Sequence, residues 1–373
     1  MANKTARLGD LATYINGYAF KPADWGETGL PIIRIQDLTG NSYQLNRYDG
    51  EYPERIEVND GDVLISWSAS LGVYVWQRGK ALLNQHIFKV VFDKLPVNKD
   101  YFVFAVEHKL AEMESKTHGA TMKHIVKKDF DGTTIPYPPI EKQAEIADHL
   151  RRITSLIDRQ TEQLLLLDQL VKSRFIELFG DPQRNPHGYK HTKLSDIATY
   201  YNGLTYKPEN VAAEGTIVLR SSNIQNSQLD FADTVRVDCA IKERLMVQKN
   251  DILMCSRNGS AKLVGKVALI KDIQEPMSFG AFMMIIRSHY FGYLMMYFQM
   301  DAFRQQIKTG ATTTINQITG RMLDDVTIPL PPMALVDQFA TFVEQTDKSK
   351  LAVQKGLQEL EILKKSLMQQ YFG

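Results

Sequence analysis

Two loops in this chain carry the residue types best suited to grip a polyanion. Lys116, Thr117, His118, Thr121, Lys123 and His124 crowd the first, around Gly119-Ala120-Thr121; Lys308, Thr309, Thr312, Thr313, Thr314 and Asn316 crowd the second, around Gly310-Ala311-Thr312. Basic and hydroxyl side chains hold phosphates, and a glycine lets backbone approach closely. The plain alternative is a solvated loop joining helix to strand, but its recurrence at the equivalent place favours contact with DNA. A second pair of loops differs between the copies: Trp67, Ser68 and Ser70 in one, Arg257, Asn258, Ser260 and Lys262 in the other. Arg and Lys suit guanine edges and Asn suits adenine, so Arg257, Asn258 and Lys262 have the donors for base or phosphate contact. Trp67 fits simple packing equally well. Arg34 and Arg220 stand at matching strand ends, where they could hold phosphate or pair with a carboxylate such as Asp37. Their presence in both copies favours the structural role, since specificity should differ. Lys21 and Lys207, each followed by proline, complete the candidate set.

Other chemistry finds little support. Gly265-Lys266 follows Gly259, but five residues separate the glycines where a phosphate loop needs four, and Val267 stands where Ser or Thr would hold magnesium. Asn185-Pro186-His187-Gly188-Tyr189 lacks the second proline of an amino-methyltransferase motif. Glu107-x-Lys109 and Glu114-x-Lys116 read as helical surface charge. The eight histidines show no metal-ligand spacing. We therefore expect no catalytic residue, no metal site and no cofactor on this chain. The net charge of +1 supplies no global pull toward nucleic acid, so binding must come from local clusters. Two cysteines, Cys239 and Cys255, and an N-terminus without an apolar signal core point to the cytoplasm. The most apolar stretch, 281–300, carries Arg287 and His289, and reads as a strand followed by a helix rather than a membrane span.

The elements that must position these loops come as a repeat. Arg7-Leu8-Gly9-Asp10-Leu11-Ala12-Thr13-Tyr14 returns as Lys193-Leu194-Ser195-Asp196-Ile197-Ala198-Thr199-Tyr200. Asn16-Gly17 and Lys21-Pro22 return as Asn202-Gly203 and Lys207-Pro208. Each copy reads as a short helix (8–14 and 194–200), strands (31–35, 63–66 and 87–92; 217–220, 252–255, 265–270 and 283–287), then helical stretches near 99–113 and 290–307. A period this long means two domain-sized mixed α/β units.

Each copy leaves through an Ile-Pro-x-Pro-Pro signature, at Ile135 and Ile328. Beyond it, Ile146, Leu150, Ile153, Ile157, Gln160, Leu164, Leu167, Val171, Phe175 and Leu178 step by three and four, a heptad seam. The second run, Phe339, Val343, Val353, Leu357, Leu360, Leu367 and Tyr371, is interrupted by Thr346, Lys350 and Lys364. A helix of about 39 residues reaches roughly 58 Å, or about 17 base pairs of DNA, and with one apolar stripe it needs a partner. We expect the two to pair antiparallel. Both end in Phe-Gly, at Phe179-Gly180 and Phe372-Gly373.

The connector Phe179-Gly180-Asp181-Pro182-Gln183-Arg184-Asn185-Pro186-His187-Gly188-Tyr189, with the double prolines and the two-copy layout, resembles the specificity subunit of type I restriction-modification enzymes over 8–373. The resemblance implies a pseudo-twofold mixed α/β fold. Residues 1–139 and 193–332 would be two target recognition domains, separated by long antiparallel coiled-coil helices at 140–180 and 333–373, with a connector at 181–192. It implies a sequence-specific, non-catalytic subunit reading a bipartite, asymmetric target in double-stranded DNA, one domain per half-site. Its partners would be two methyltransferase subunits docked on the helices, and motor-nuclease subunits. S-adenosylmethionine, ATP and magnesium would sit on those partners. Family members commonly carry a Glu-x-x-Gln-type element after the prolines; Glu141-Lys142-Gln143 comes close, whereas Ala334-Leu335-Val336-Asp337-Gln338 departs from it. An enzyme with its own nuclease or methyltransferase site, and a coiled-coil protein scaffold, are the rival readings.

Overall fold

The structure, a computed structural model, describes residues 4–40, 46–116, 126–307 and 316–373. The chain divides into two compact units: Met1–Glu162 with Val353–Gly373, and Gln163–Ala352. In the first, an antiparallel sheet runs Thr13–Asn16, Ile87–Val91, Val63–Ser66, Gly72–Val75. A second sheet runs Arg47–Tyr48, Leu30–Ile33, Ala81–Leu83, Glu57–Val58, its central pair parallel. The strand Val63–Ser66 explains the layering. Alternate side chains leave a strand on opposite faces. Val63 and Ile65 therefore enter a core with Phe102, Val106 and Leu110 of the helix Lys99–Lys116, while Leu64 enters another with Ile32, Ile33 and Leu82 of the second sheet. Both faces are covered, so the strand reads as an unbroken apolar run.

The second unit repeats the plan. Its sheets run Thr199–Asn202, Met283–Arg287, Ile252–Cys255, Val267–Leu269 and Val211–Ala212, Arg236–Val237, Thr216–Leu219, Met277–Phe279. Ile252 and Met254 face the helical core; Leu253 and Cys255 face the other. Burial pushes the Cys255 thiol above its ordinary pKa, leaving it an inert apolar side chain. The repeated Asn-Gly marks a backbone crossing. A Cβ on Gly17 would lie 2.0 Å from the Asn84 carbonyl oxygen, and one on Gly203 would lie 2.1 Å from that of Gly280.

One expectation needs correction. The segments 8–14 and 194–200 are helical only over Leu8–Leu11 and Leu194–Ile197; Thr13–Asn16 and Thr199–Asn202 are strands. The alternation of Thr13, Tyr14 and Ile15 buries only Tyr14, and the sheet edge supplies the backbone partners. The helical stretch expected over 290–307 is two helices, Phe291–Tyr297 and Asp301–Gln306, because Met300 turns extended and its carbonyl accepts from the Phe303 N–H at 3.2 Å.

Long helices span Ile140–Phe179 and Met333–Phe372. In the first unit Ile146, Ala147 and Leu150 of one share a core with Met368 and Phe372 of the other. In the second unit Val171, Phe175 and Phe179 meet Val336 and Phe339. The pairing is antiparallel in both. Every member of the first seam is at least partly buried. The polar breaks in the second seam are all partnered. The Thr346 hydroxyl donates to Phe342 O at 2.9 Å, the Lys350 ammonium meets Asp168 at 2.5 Å, and that of Lys364 meets Glu107 at 3.1 Å. The phenylalanines of the Phe-Gly endings are core residues. Phe372 packs on Tyr101 with ring centroids 5.2 Å apart, and Phe179 packs on Tyr293 at 5.1 Å. Each tyrosine hydroxyl donates to a carbonyl of the proline exit strand, Tyr101 to Pro136 at 2.8 Å and Tyr293 to Pro329 at 3.0 Å. So helix end, core tyrosine and exit strand are tied together once in each unit. Among the described residues no helix is long and apolar enough to cross a membrane; the 281–300 stretch contains the strand Met283–Arg287 and the helix Phe291–Tyr297.

The connector's motif residues fix its path. Gly180 ends the helix at φ +72°, its N–H donating to Ile176 O at 2.8 Å, and a Cβ there would lie 2.3 Å from the Pro186 ring. The Asn185 amide both donates to Tyr189 O at 2.7 Å and accepts from the Tyr189 N–H at 2.9 Å. The departure after the second double proline is a core exchange. Gln143 is fully buried, donating to Pro138 O at 2.9 Å and accepting from the Asn98 N–H at 3.0 Å; Val336, its counterpart, is equally buried but apolar.

Candidate nucleic-acid interface

In the second unit the structure gathers candidates that lie far apart in sequence. Arg257–Asn258 and Asn316–Gln317 form a two-stranded antiparallel ribbon, with Arg257 opposite Gln317 and Asn258 opposite Asn316. The ribbon springs from the central strand: the Ile318 N–H donates to Ser256 O at 2.7 Å. Directly opposed residues share a face. On one face Asn258 donates to the Ser221 hydroxyl at 3.4 Å and accepts from the Ser260 N–H at 3.0 Å, while Asn316 donates to Gly259 O at 3.4 Å. These two amides shape the turn. On the other face Arg257 and Gln317 are exposed, as are Ser260 and Lys262 in the turn that follows. The Arg257 guanidinium lies 5.4 Å from the ring of Phe282, which is 59% exposed.

Arg220 is brought beside this ribbon by the fold, one residue before the Ser221 whose hydroxyl Asn258 contacts. Its guanidinium pairs with Asp233 at 2.7 Å and its N–H donates to Asn223 at 2.8 Å. Arg34 is held in the same way in the first unit. It lies 3.6 Å from buried Asp37, its N–H donates to Asp37 at 2.8 Å, and its guanidinium lies 5.6 Å from the Trp25 ring. Both arginines are thus occupied in holding the turn after their strand. Lys21 and Lys207 are exposed; Lys207 pairs with Glu209 at 3.3 Å.

In the first unit Trp67 stacks on Phe88 at 5.5 Å and meets the His86 ring edge-on at 5.0 Å. Ser68 is buried, Ser70 is exposed, and the Ser66 hydroxyl closes the loop on Ser70 O at 2.6 Å. His86 was missed by sequence reasoning, although it is exposed at the unusual φ of +72°. Its equivalence to Phe282 appears only in the backbone. The Trp67 N–H donates to His86 O at 3.3 Å, and the Arg257 N–H to Phe282 O at 3.1 Å. One junction, built twice, carries Trp and His in one copy and Arg and Phe in the other. Gln317 was likewise missed, since only the ribbon pairing shows what it faces. Thr117, His118, Thr121, Lys123, His124, Lys308, Thr309, Thr312, Thr313 and Thr314 lie outside the described residues, as does the side chain of Lys116.

A cleft of about 780 Å³ in the second unit is lined by Lys249, Asp251, Arg287, Ser288, His289 and Tyr290, among others. Its most buried charge is already satisfied: Arg287 meets Asp251 at 2.8 Å. Burial pushes the Asp251 carboxyl above its ordinary pKa, against the opposing pull of Arg287. Among the described residues no group of three or more His, Cys, Asp or Glu could hold a metal ion.

A duplicated α/β unit, a loop whose side chains differ between copies, and a long helix leaving each unit define the class of DNA specificity proteins. The type I restriction modification DNA specificity domain family matches residues 2–167 and again 186–362, and this chain belongs to that family. It is 24% identical over 303 residues to the specificity subunit of the type I restriction enzyme EcoBI of Escherichia coli, covering 73% of this chain and 62% of that subunit. It is also 24% identical over 396 residues to the MjaVIII specificity subunit of Methanocaldococcus jannaschii, covering 98% of this chain and 91% of the relative. Its fold matches the crystal structure of the S subunit of a type I restriction-modification system from M. genitalium, with a TM-score of 0.60 at 14% identity over 99% of this chain and 96% of that one. A second type I restriction-modification structure gives a TM-score of 0.59 at 16% identity, covering 99% and 97%.

Proposed function

We propose that this chain is the non-catalytic specificity subunit of a type I restriction-modification complex. Each recognition unit, residues 1–139 and 193–332, reads one half of a bipartite, asymmetric DNA target. The long helices at 140–180 and 333–373 dock two methyltransferase subunits, and motor-nuclease subunits join that assembly. S-adenosylmethionine, ATP and magnesium belong to those partners, and the complex works in the cytoplasm. The observation that carries this reading is the shared backbone junction bearing Trp67 and His86 in one copy and Arg257 and Phe282 in the other. A duplicated scaffold with exchanged polar groups suits two unlike half-sites. Mapping methylated bases in the source genome with and without this gene tests it. One split motif should lose its methylation on deletion; an unchanged map would refute the proposal.

A further inference from the structure

We propose that Arg257 and Gln317 are the base-reading pair of the second unit, Arg257 taking a guanine and Gln317 an adenine, with Phe282 holding the guanidinium in position. The inference rests on the DNA-recognition reading above and goes on to name residues and base classes. The B-DNA major groove is about 12 Å wide and admits a two-stranded β-ribbon. The pair Arg257–Asn258 with Asn316–Gln317 is such a ribbon. Its amide pair Asn258 and Asn316 is turned to the turn backbone and to Ser221, so those groups position the ribbon. The opposite face presents a guanidinium and a carboxamide to solvent.

Opposed side chains on a strand pair leave the backbone about 4.5–5.5 Å apart, between one and two of the 3.4 Å steps between base pairs, so two such long side chains can span adjacent bases. A guanidinium reaches guanine O6 and N7 together, and a glutamine amide reaches adenine N6 and N7. Phe282 supplies an independent observation. Its phenyl ring is 59% exposed beside the ribbon, while its carbonyl accepts from both the Ser256 and Arg257 N–H groups, at 3.0 and 3.1 Å. These bonds hold the Phe282 backbone beside Arg257, and its ring lies 5.4 Å from the guanidinium, where cation–π attraction favours one placement of that long side chain. The first unit fixes His86 against Trp67 at the same junction.

The test uses the full-length chain in its assembled complex, methylating a library of duplexes randomised through the target. Arg257→Ala should relax one position of one half-site by about tenfold or more, and Gln317→Ala a neighbouring position of the same half-site. Arg257→Lys keeps the charge but loses the planar fork, so it should fail to restore guanine preference. The other half-site should stay unchanged in all three. Should Arg257→Ala fail to assemble, the exposed Gln317→Ala still decides. If the wild type reads a split motif and the variants leave every base preference intact, or weaken all sites uniformly, the pair does not read bases and the inference is wrong. If the wild type itself shows no split motif, the DNA-recognition reading fails first.

Discussion

Phe372 offers the sharpest mechanical test of how a long helix is joined to its recognition unit. It is 1% exposed and packs on Tyr101 with ring centroids 5.2 Å apart, in the core that also holds Ile146, Leu150 and Met368. Phe372→Ala removes a buried ring and its aromatic pairing. Large-to-small changes of this kind cost about 3–5 kcal/mol, with the upper part of that range expected where neighbours cannot collapse into the gap. Tyr101 is pinned by its hydrogen bond to Pro136 O, so collapse is restricted. For a unit of this size each kcal/mol shifts the midpoint by about 2–4 °C, so the first unit should melt roughly 6–20 °C lower. Phe372→Leu should recover most of the loss. Calorimetry measures the shift, and amide exchange locates it. Protection should fall in Thr5–Arg7 and Thr134–Pro136, which pair antiparallel beside Tyr101. A loss below about 1 kcal/mol, or exchange unchanged in those strands, would refute the claim that the helix end is part of the unit's core.

Three further outcomes are expected. Gly203→Ala should destabilise the second unit by more than about 2 kcal/mol, because the added Cβ meets the Gly280 carbonyl oxygen at 2.1 Å and the Phe279 carbonyl oxygen at 2.4 Å; urea denaturation reads it. Gly180→Ala should cost about 1–3 kcal/mol, since it places a side chain at φ +72° and against Pro186, while Gly188→Ala, with open space around it, should cost less. Arg287→Met leaves the Asp251 carboxylate buried without its counter-charge, at a cost of about 3–5 kcal/mol near pH 7. Burial already raises this carboxyl and Arg287 opposes the rise, so the variant raises it further. A raised carboxyl contributes most below the unfolded value of about 3.9 and loses that contribution as pH rises through the native value. The variant's deficit should therefore shrink between pH 7 and pH 4; a deficit constant with pH would contradict it.

The sequence announces what repeats with a helical period. The seam from Ile146 to Leu178 steps through heptads, and each of those positions is at least partly buried. Gln160, the polar member, sits against Gly356, whose missing side chain leaves room for it: a Cβ there would lie 3.1 Å from the amide nitrogen. The strand Thr13–Asn16 was harder to read because Leu8, Leu11 and Ala12 continue a helical spacing up to its edge. The decision rests on the distant partner strand Ile87–Val91. The ribbon was invisible for the same reason. Two residues on each side carry no periodicity, and their pairing joins positions about sixty residues apart. Arg257 and Asn258 could be chosen from their chemistry, but only the register assigns one to the exposed face and the other to the turn. His86 and Phe282 have no common residue type; their equivalence lies in the carbonyls they offer to Trp67 and Arg257. The paired state of Arg34 and Arg220 was legible in part, since both copies keep them at a strand end.

The division of labour between the two units is open to one direct measurement. Residues 193–332 are replaced by the equivalent segment of a relative with a different target, and the sequence methylated by the assembled complex is read. One half of the split sequence should change to that of the donor while the other half stays as it was. A change in both halves, or in neither, would contradict it.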